Sequence, residues 1–351
     1  MTSIDDRPEL VAAVEDQLRA VGRQVRRAML DAMPDGEPVR WLYAPMREYP
    51  ARPGKALRPA LCLSAGRAFG AGSEASLLGV AVAIELLHNA FLVHDDIADG
   101  SEMRRGRPTL AASHGMAAAL NAGDGLAIVA SQVLRKATRH LDRDLADRVL
   151  AEFDLMAMRT LEGQATEIGW QRDNTADLLP ADYLELIMHK TCWYTTIYPL
   201  RVGALIGSGG TADLAPLIRF GFHFGAAFQI RDDLLNLIGD EHAYGKEILG
   251  DLYEGKRTLA LVHLIATARG ADADFVRDYL RRDRAQRSEE VVRTIRALLD
   301  DYGSIQYTRE YAEGILLVAE DYFEAAFADA QPGPDLEFLR ALVPYVWARW
   351  R

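Results

Sequence analysis

Two acidic runs stand out because they interrupt apolar, helix-forming sequence. One reads His94-Asp95-Asp96-Ile97-Ala98-Asp99, and the other reads Asp232-Asp233-Leu234-Leu235-Asn236. Asp95 and Asp99 are at i and i+4, so on a helix they share a face. Like charges on such a face repel unless a cation lies between them. Donors made only of oxygen suit Mg2+, which takes one or two carboxylates and fills its shell with water and substrate phosphates. Basic residues accompany both runs. Arg104, Arg105 and Arg107 follow the first, Lys246, Lys256 and Arg257 follow the second, and Lys55 and Arg58 lie upstream. Arg grips phosphate oxygens in pairs and Lys acts as a point charge, so the constellation describes a diphosphate held by metal and cations. A solvated helix end would explain a single Asp-Asp pair, but not two with basic partners.

Such residues need rigid supports, and the sequence supplies helices. Leu10, Val14, Leu18, Val21 and Val25 recur at spacings of three and four within Glu9–Ala32, the period of an amphipathic helix. The same pattern predicts helices over Leu57–Phe69, Glu74–Ile97, Ala117–His140, Leu145–Trp170, Ala181–Ile206 and Leu214–Leu237. It continues through Thr258–Thr267, Phe275–Arg282, Ser288–Asp300, Ile305–Phe327 and Asp335–Trp350. Pro199 and Pro344 should kink or split two of these. No alternating strand pattern competes. The breaks carry turn residues and none is long enough for a linker, so residues 1–351 read as one all-α domain.

A net charge of −11 argues against a nucleic-acid binder, whose footprint is basic. Two cysteines, Cys62 and Cys192, exclude a disulfide scaffold and fit a reducing cytoplasm. The N-terminal residues lack the apolar core of a signal peptide. The longest apolar run, Leu77–Val93, is broken by Glu85, His88 and Asn89 and falls short of the ~20 residues of a bilayer span. A cytoplasmic chain with no transmembrane segment is expected.

The motifs then carry a resemblance. Gly54–Pro59, Glu85–His88, Asp95–Thr109, Gly163-Gln164, Lys190-Thr191, Phe228–Asp233, Gly245-Lys246 and Asp251–Thr258 follow one another as in the trans-isoprenyl diphosphate synthases. The chain resembles this polyprenyl synthetase family, and most of all its geranylgeranyl diphosphate synthases. The resemblance implies a single helical bundle of the isoprenoid synthase type around a central cavity, usually as a homodimer. It implies a prenyltransferase that joins isopentenyl diphosphate to allylic diphosphates. It places Asp95, Asp99 and Asp232 on Mg2+, with about three ions beside the bound diphosphate, and gives Asp233 a supporting role. Lys55, Arg58, His88 and Arg105 would bind isopentenyl diphosphate. Arg104, Lys190, Lys246 and Lys256 would surround the allylic diphosphate, with Thr191 and Gln229 beside the reacting carbon. Arg351 resembles a basic tail that closes over the site in some relatives. Asn236 stands where the family has Asp, which fits contact with metal through water rather than direct ligation.

Ionising an allylic diphosphate leaves a delocalised carbocation. Metal and cations stabilise the leaving group, apolar walls exclude water, and the oxygens of Gln229 and Thr191 can face the positive carbon. Isopentenyl diphosphate then attacks C1 and loses a proton to diphosphate. Chain length should be set near Phe91 and Ala90. Phe91 lies one turn, about 5.4 Å, upstream of Asp95, close to the roughly 5 Å of an isoprene unit. Bulk at Phe91 with a small Ala90 points to a geranylgeranyl product. A deeper floor near Leu155–Thr166 would leave Phe91 as packing. A farnesyl or C25 synthase, a class I terpene cyclase and a non-catalytic subunit are the alternatives. The intact Lys55, Arg58, His88 and Arg105 set argues against a cyclase, and the two acidic runs against a silent subunit. Trp193, Tyr194 and Tyr198 read as core or cavity wall rather than as a cation–π device, and Glu167 as solvated, salt-bridged or at a cavity edge.

Overall fold

The computed structural model describes residues 8–70, 72–239 and 248–348. Helices dominate them, and they gather into two compact units. One comprises 1–158, 193–222 and 319–351, and the other 159–192 and 223–318. The chain supplies α1 Pro8–Asp31, α2 Ala44–Ala51, α3 Leu57–Ala68 and α4 Glu74–Ala98, then a hairpin of β1 Met103–Arg104 and β2 Arg107–Pro108. Next come α5 Leu110–His114, α6 Met116–Thr138, α7 Arg143–Arg172 and α8 Pro180–Ile187, then a wide π-type stretch, Met188–Ile197. The remainder is α9 Tyr198–Gly207, α10 Ala215–Ile238, α11 Gly250–Glu254, α12 Leu259–Thr267, α13 Gly270–Arg281, α14 Glu289–Asp301, α15 Ser304–Ala326 and α16 Pro334–Ala348.

In the first unit α4 is the central support. Ser73 caps its N-terminus by accepting the Ser76 N–H at 3.3 Å. Its apolar residues pack against α1, α3, α6 and α9, and Leu77, Val80, Ala83, Leu86 and Ala90 are fully enclosed. Helix α3 lies close against α9 because Gly203 and Gly207 face it. A Cβ at either would collide with the backbone of Cys62 or Gly66. In the second unit α12 packs on α8, α13 and α14. Tyr279, fully buried on α13, donates its hydroxyl to the Leu252 carbonyl at 2.6 Å and so ties α13 to α11.

The helical reading of the sequence matches these elements with few departures. The Ala181–Ile206 segment is interrupted by the π-type stretch, and α9 restarts with Pro199 in its first turn, where no amide N–H is needed. Pro344 does not split α16. The carbonyl it leaves without a helical donor belongs to Arg340, an exposed residue that water reaches. Helices α2, α5 and α11 and the hairpin escaped the pattern because each is too short to show a period, and α2 also carries Pro45 and Pro50. The expectation that no segment is long enough to span a bilayer needs correction. Both α4 and α6 pass by length and composition. In α4, however, 78% of the apolar window is buried, as in a core helix, against 39% in α6.

Candidate active site

The C-terminal half of α4 carries the first acidic run. The Asp99 N–H donates to the Asp95 carbonyl at 2.8 Å, which continues the helical path and keeps both side chains on one face. Each is half-buried, and the two offer carboxylate oxygens within 4.8 Å of each other. That spacing and the oxygen-only chemistry fit Mg2+. Asp96 points the other way and is 1% exposed. It accepts Arg104 Nε at 2.8 Å as well as the Tyr49 hydroxyl. The adjacent acids therefore divide the work: Asp95 lies half-buried on the face it shares with Asp99, and Asp96 anchors the segment. Arg104 is itself buried and committed to Asp96, with Asp95 3.7 Å away. It braces the acidic run from behind.

The β1–β2 hairpin turns on Arg105 and Gly106, both left-handed, with φ of 53° and 70°. This is the backbone a two-residue turn needs to match strand twist. An Arg there costs about 1–2 kcal/mol relative to Gly. Arg105 Nη1 donates to the Arg52 carbonyl at 3.3 Å, and its guanidinium passes so close to Gly54 that a Cβ there would lie 3.0 Å from Nη2. Burial pushes the Arg105 pKa down, and Glu85 on α4 counteracts this. Burial in turn raises the Glu85 pKa, while Arg58 and Arg105 hold it down.

Arg58, in the first turn of α3, donates Nη2 to Thr195 Oγ1 at 2.9 Å and lies 4.3 Å over the Tyr194 ring. The same ring stacks on His88, with centroids 5.7 Å apart, and meets Phe91 edge-on at 6.0 Å. Tyr194 thus joins two residues expected at the isopentenyl site to one expected to set chain length. Lys55 is exposed beside Ala56, which adopts φ of 54° immediately before α3. Phe91 is part-exposed. Ala90, by contrast, has no accessible surface, so it does not leave an open side next to Phe91.

In the second unit, α10 carries the second acidic run. Gln229 Nε2 and the Tyr183 hydroxyl donate to the two oxygens of Asp233 at 2.6 and 2.7 Å. Burial first, and then the nearby Asp251, push the Asp233 carboxyl up to about 7. Asp232 is half-buried. Asn236 is buried, and its Oδ1 accepts the Asp251 N–H at 3.1 Å. The amide thus braces the start of α11, in keeping with a residue that does not ligate metal directly. Lys190 pairs with Glu167, and Gly163 lets α7 approach so closely that a Cβ would strike the Lys190 backbone. Thr191 is buried on the same π-type stretch, a backbone form common at functional positions. Lys256 sits 2.7 Å from Glu254 and 4.0 Å from Asp251. Lys246 and Arg351 lie outside the described residues.

Residues 39–298 match the polyprenyl synthetase family. The chain belongs to that family. A short chain isoprenyl diphosphate synthase from Methanothermobacter thermautotrophicus is 32% identical over 77% of this chain and 80% of its own length. Among solved structures, geranylgeranyl pyrophosphate synthetase from Pyrococcus horikoshii matches with a TM-score of 0.80 at 30% identity, covering 96% of this chain and 98% of that one. Geranylgeranyl pyrophosphate synthase from Corynebacterium glutamicum, solved with isoprenyl diphosphate and magnesium, gives 0.80 at 25% identity over 96% and 98%. Other relatives are named for geranylfarnesyl and nonaprenyl products. The protein is an all-α prenyltransferase of the isoprenoid synthase fold.

Sequence reasoning did not assign Tyr194 to the site. Its position four residues after Lys190 on one helical stretch was the available signal. Tyr49 and Tyr183, which hold Asp96 and Asp233, are distant in sequence and left none.

Proposed function

We propose that this polyprenyl synthetase condenses isopentenyl diphosphate head-to-tail with allylic diphosphates in the presence of Mg2+ and releases geranylgeranyl diphosphate. The observation that carries the reading is the second cation set within the first unit. Arg58 and Arg105 act on Glu85, with Arg58 stacked on Tyr194 beside His88. A terpene cyclase ionises one diphosphate and has no use for this set. The family match runs through both units, which supports treating them as one catalytic domain.

Asp95, Asp99 and Asp232 are the residues proposed to hold Mg2+, which would supply Lewis-acid stabilisation of the departing diphosphate. Arg104 keeps Asp95 in place through Asp96. Lys190 and Lys256 contribute positive charge to the same leaving group. The Gln229 carbonyl and Thr191 hydroxyl present oxygens to the allylic carbon as positive charge develops. Lys55, Arg58, His88 and Arg105 hold isopentenyl diphosphate so that its double bond reaches C1, and the proton then lost passes to diphosphate.

The geranylgeranyl assignment rests on Phe91, one turn below Asp95 and held edge-on by Tyr194. We further propose a homodimer, supported by the exposed Met116, Leu120 and Ile128 of α6 and Leu155 and Met158 of α7. The deciding experiment incubates the protein with labelled isopentenyl diphosphate, Mg2+ and each allylic primer. Elongated diphosphate, identified after phosphatase treatment, supports the synthase. Hydrocarbon would establish a cyclase, and no product a silent subunit.

A further inference from the structure

In the second unit, the turn that carries Asp251 and Lys256 is fastened from outside by side chains. The Tyr279 hydroxyl donates to the Leu252 carbonyl at 2.6 Å, and Arg287 Nη1 to the Tyr253 carbonyl at 2.9 Å. Arg257 Nη1 donates to the Gly255 carbonyl at 2.6 Å. Arg257 is itself anchored where the chain leaves α7, by the Thr175 carbonyl at 3.1 Å and Asn174 Oδ1 at 2.9 Å. Arg287 follows a single 3-10 turn, Arg284–Gln286, closed by the Asp283 N–H on Gln286 Oε1 at 3.1 Å. From that same turn Arg284 reaches Glu254 at 3.4 Å, the carboxylate that also meets Lys256. The Lys256 N–H donates to the Asp251 carbonyl at 2.9 Å, so its position is inherited from this frame.

Gly255 lies at the centre of the arrangement. Its φ of 68° is left-handed, a region glycine enters without steric cost. Space demands glycine as well, because a Cβ would collide with the Arg287 guanidinium. One arginine thus lies against Gly255 while the other holds its carbonyl. Both are buried, and neither forms an ion pair with a carboxylate among the described residues. Burial first, and then the neighbouring Arg287, lower the Arg257 pKa to about 10, and burial lowers that of Arg287. Desolvated like charges are costly, and apolar side chains serve a purely structural contact as well or better. A guanidinium does what they cannot, since its rigid fork fixes the bearing of a carbonyl. The residue whose bearing is fixed here is Lys256.

We propose that Arg287, together with Arg257, is a positioning residue: the two guanidiniums clamp the turn at Gly255 and so hold Lys256 where the allylic diphosphate binds. The part played by Lys256 rests on the function proposed above, whereas the clamp does not. Hydrogen exchange of the full chain, read by mass spectrometry, tests the clamp. Arg287→Ala should speed exchange across 250–258 by about tenfold or more, as loss of a charge-assisted hydrogen bond implies, and leave α4 and α6 unchanged. Kinetics test what the clamp is for. Arg287→Ala should raise the allylic KM by about tenfold and keep the isopentenyl KM within about twofold. In a Lys256→Ala background the same change should alter the allylic KM by less than about twofold, because nothing is left to position. Gly255→Ala displaces the same guanidinium from the opposite side and should reproduce the Arg287→Ala pattern. Should Arg287→Ala not fold, Arg287→Gln, which loses the fork but keeps one donor, is read by the same criteria. Exchange at 250–258 equal to wild type, exchange raised equally throughout the chain, or multiplicative effects of Arg287→Ala and Lys256→Ala on the allylic KM would each overturn the proposal. Should the chain condense no prenyl diphosphates, the proposed function fails, while the exchange still decides the clamp.

Discussion

Replacing Tyr194 with Leu tests whether the ring is a shared support or mere packing. The Arg58 guanidinium lies 4.3 Å over the ring, a contact worth about 0.5–2 kcal/mol depending on desolvation. Stacking on His88 at 5.7 Å adds a ring pair of about 0.5–1.5 kcal/mol. The contributions are not additive, because Arg58 keeps its hydrogen bond to Thr195. A net loss of 1–2 kcal/mol corresponds to about a 5- to 30-fold effect. Tyr194→Leu should therefore raise the isopentenyl diphosphate KM by about that factor and leave the allylic KM within about twofold. Phe91 also loses its edge-on neighbour, so product should shift toward longer chains. Tyr194→Phe keeps the ring and should behave like wild type. Initial rates at varied concentrations of each substrate, with chromatography of dephosphorylated products, give both readouts. An unchanged isopentenyl KM in the Leu variant, or equal damage in the Phe variant, would refute the reasoning.

Four further outcomes follow from the same geometry. Asp95→Ala should lose catalysis by about a thousandfold or more, and EDTA should abolish it reversibly; near-normal turnover in either case counts against the metal assignment. Arg58→Ala should raise the isopentenyl diphosphate KM well above any change in the allylic KM, by the about 1.5–3 kcal/mol of a charge-assisted hydrogen bond; the reverse pattern would swap the two substrate sites. Phe91→Ala should extend the product to C25 or beyond, and an active variant with unchanged product length would place the floor elsewhere. Asp96→Ala should destabilise the fold by about 3 kcal/mol, the low end for breaking a buried pair, because Arg104 loses its hydrogen-bonded partner and keeps only the more distant Asp95; a urea midpoint equal to wild type would contradict that coupling.

What could be read from sequence was what repeats or clusters along the chain. The long helices announced themselves by apolar periodicity, and Asp95, Asp99, Asp232 and the arginines by local spacing. The roles within each Asp-Asp pair were hidden, because they depend on partners far away in sequence. Tyr49 comes from 47 residues upstream to hold Asp96, and Tyr183 from 50 residues upstream to hold Asp233. Arg104 looked like a ligand for diphosphate, but its 6% exposure and its bonds to Asp96 make it a brace. The Arg105 turn was illegible for another reason. An L-residue at positive φ is rare, and strand alternation cannot show itself over two residues. Ala90 misled because small size in a sequence does not distinguish an open wall from a close helix contact.

Asn236 shows how a departure from a family pattern can follow from charge. The end of α10 and the start of α11 already bring Asp232, Asp233 and Asp251 together, and burial first, then repulsion from its neighbours, lifts the Asp233 carboxyl to about 7. A carboxylate at 236 would add a further negative charge on the same helix face, one turn from Asp232 and Asp233. It would be desolvated as well, since position 236 is 3% exposed. The local backbone asks only for an acceptor, because the Asp251 N–H must be satisfied. A neutral amide oxygen meets that need without the repulsion. Asp232 remains half-buried, and the amide at 236 fixes the approach of α11, the helix that carries Asp251 and leads to Lys256.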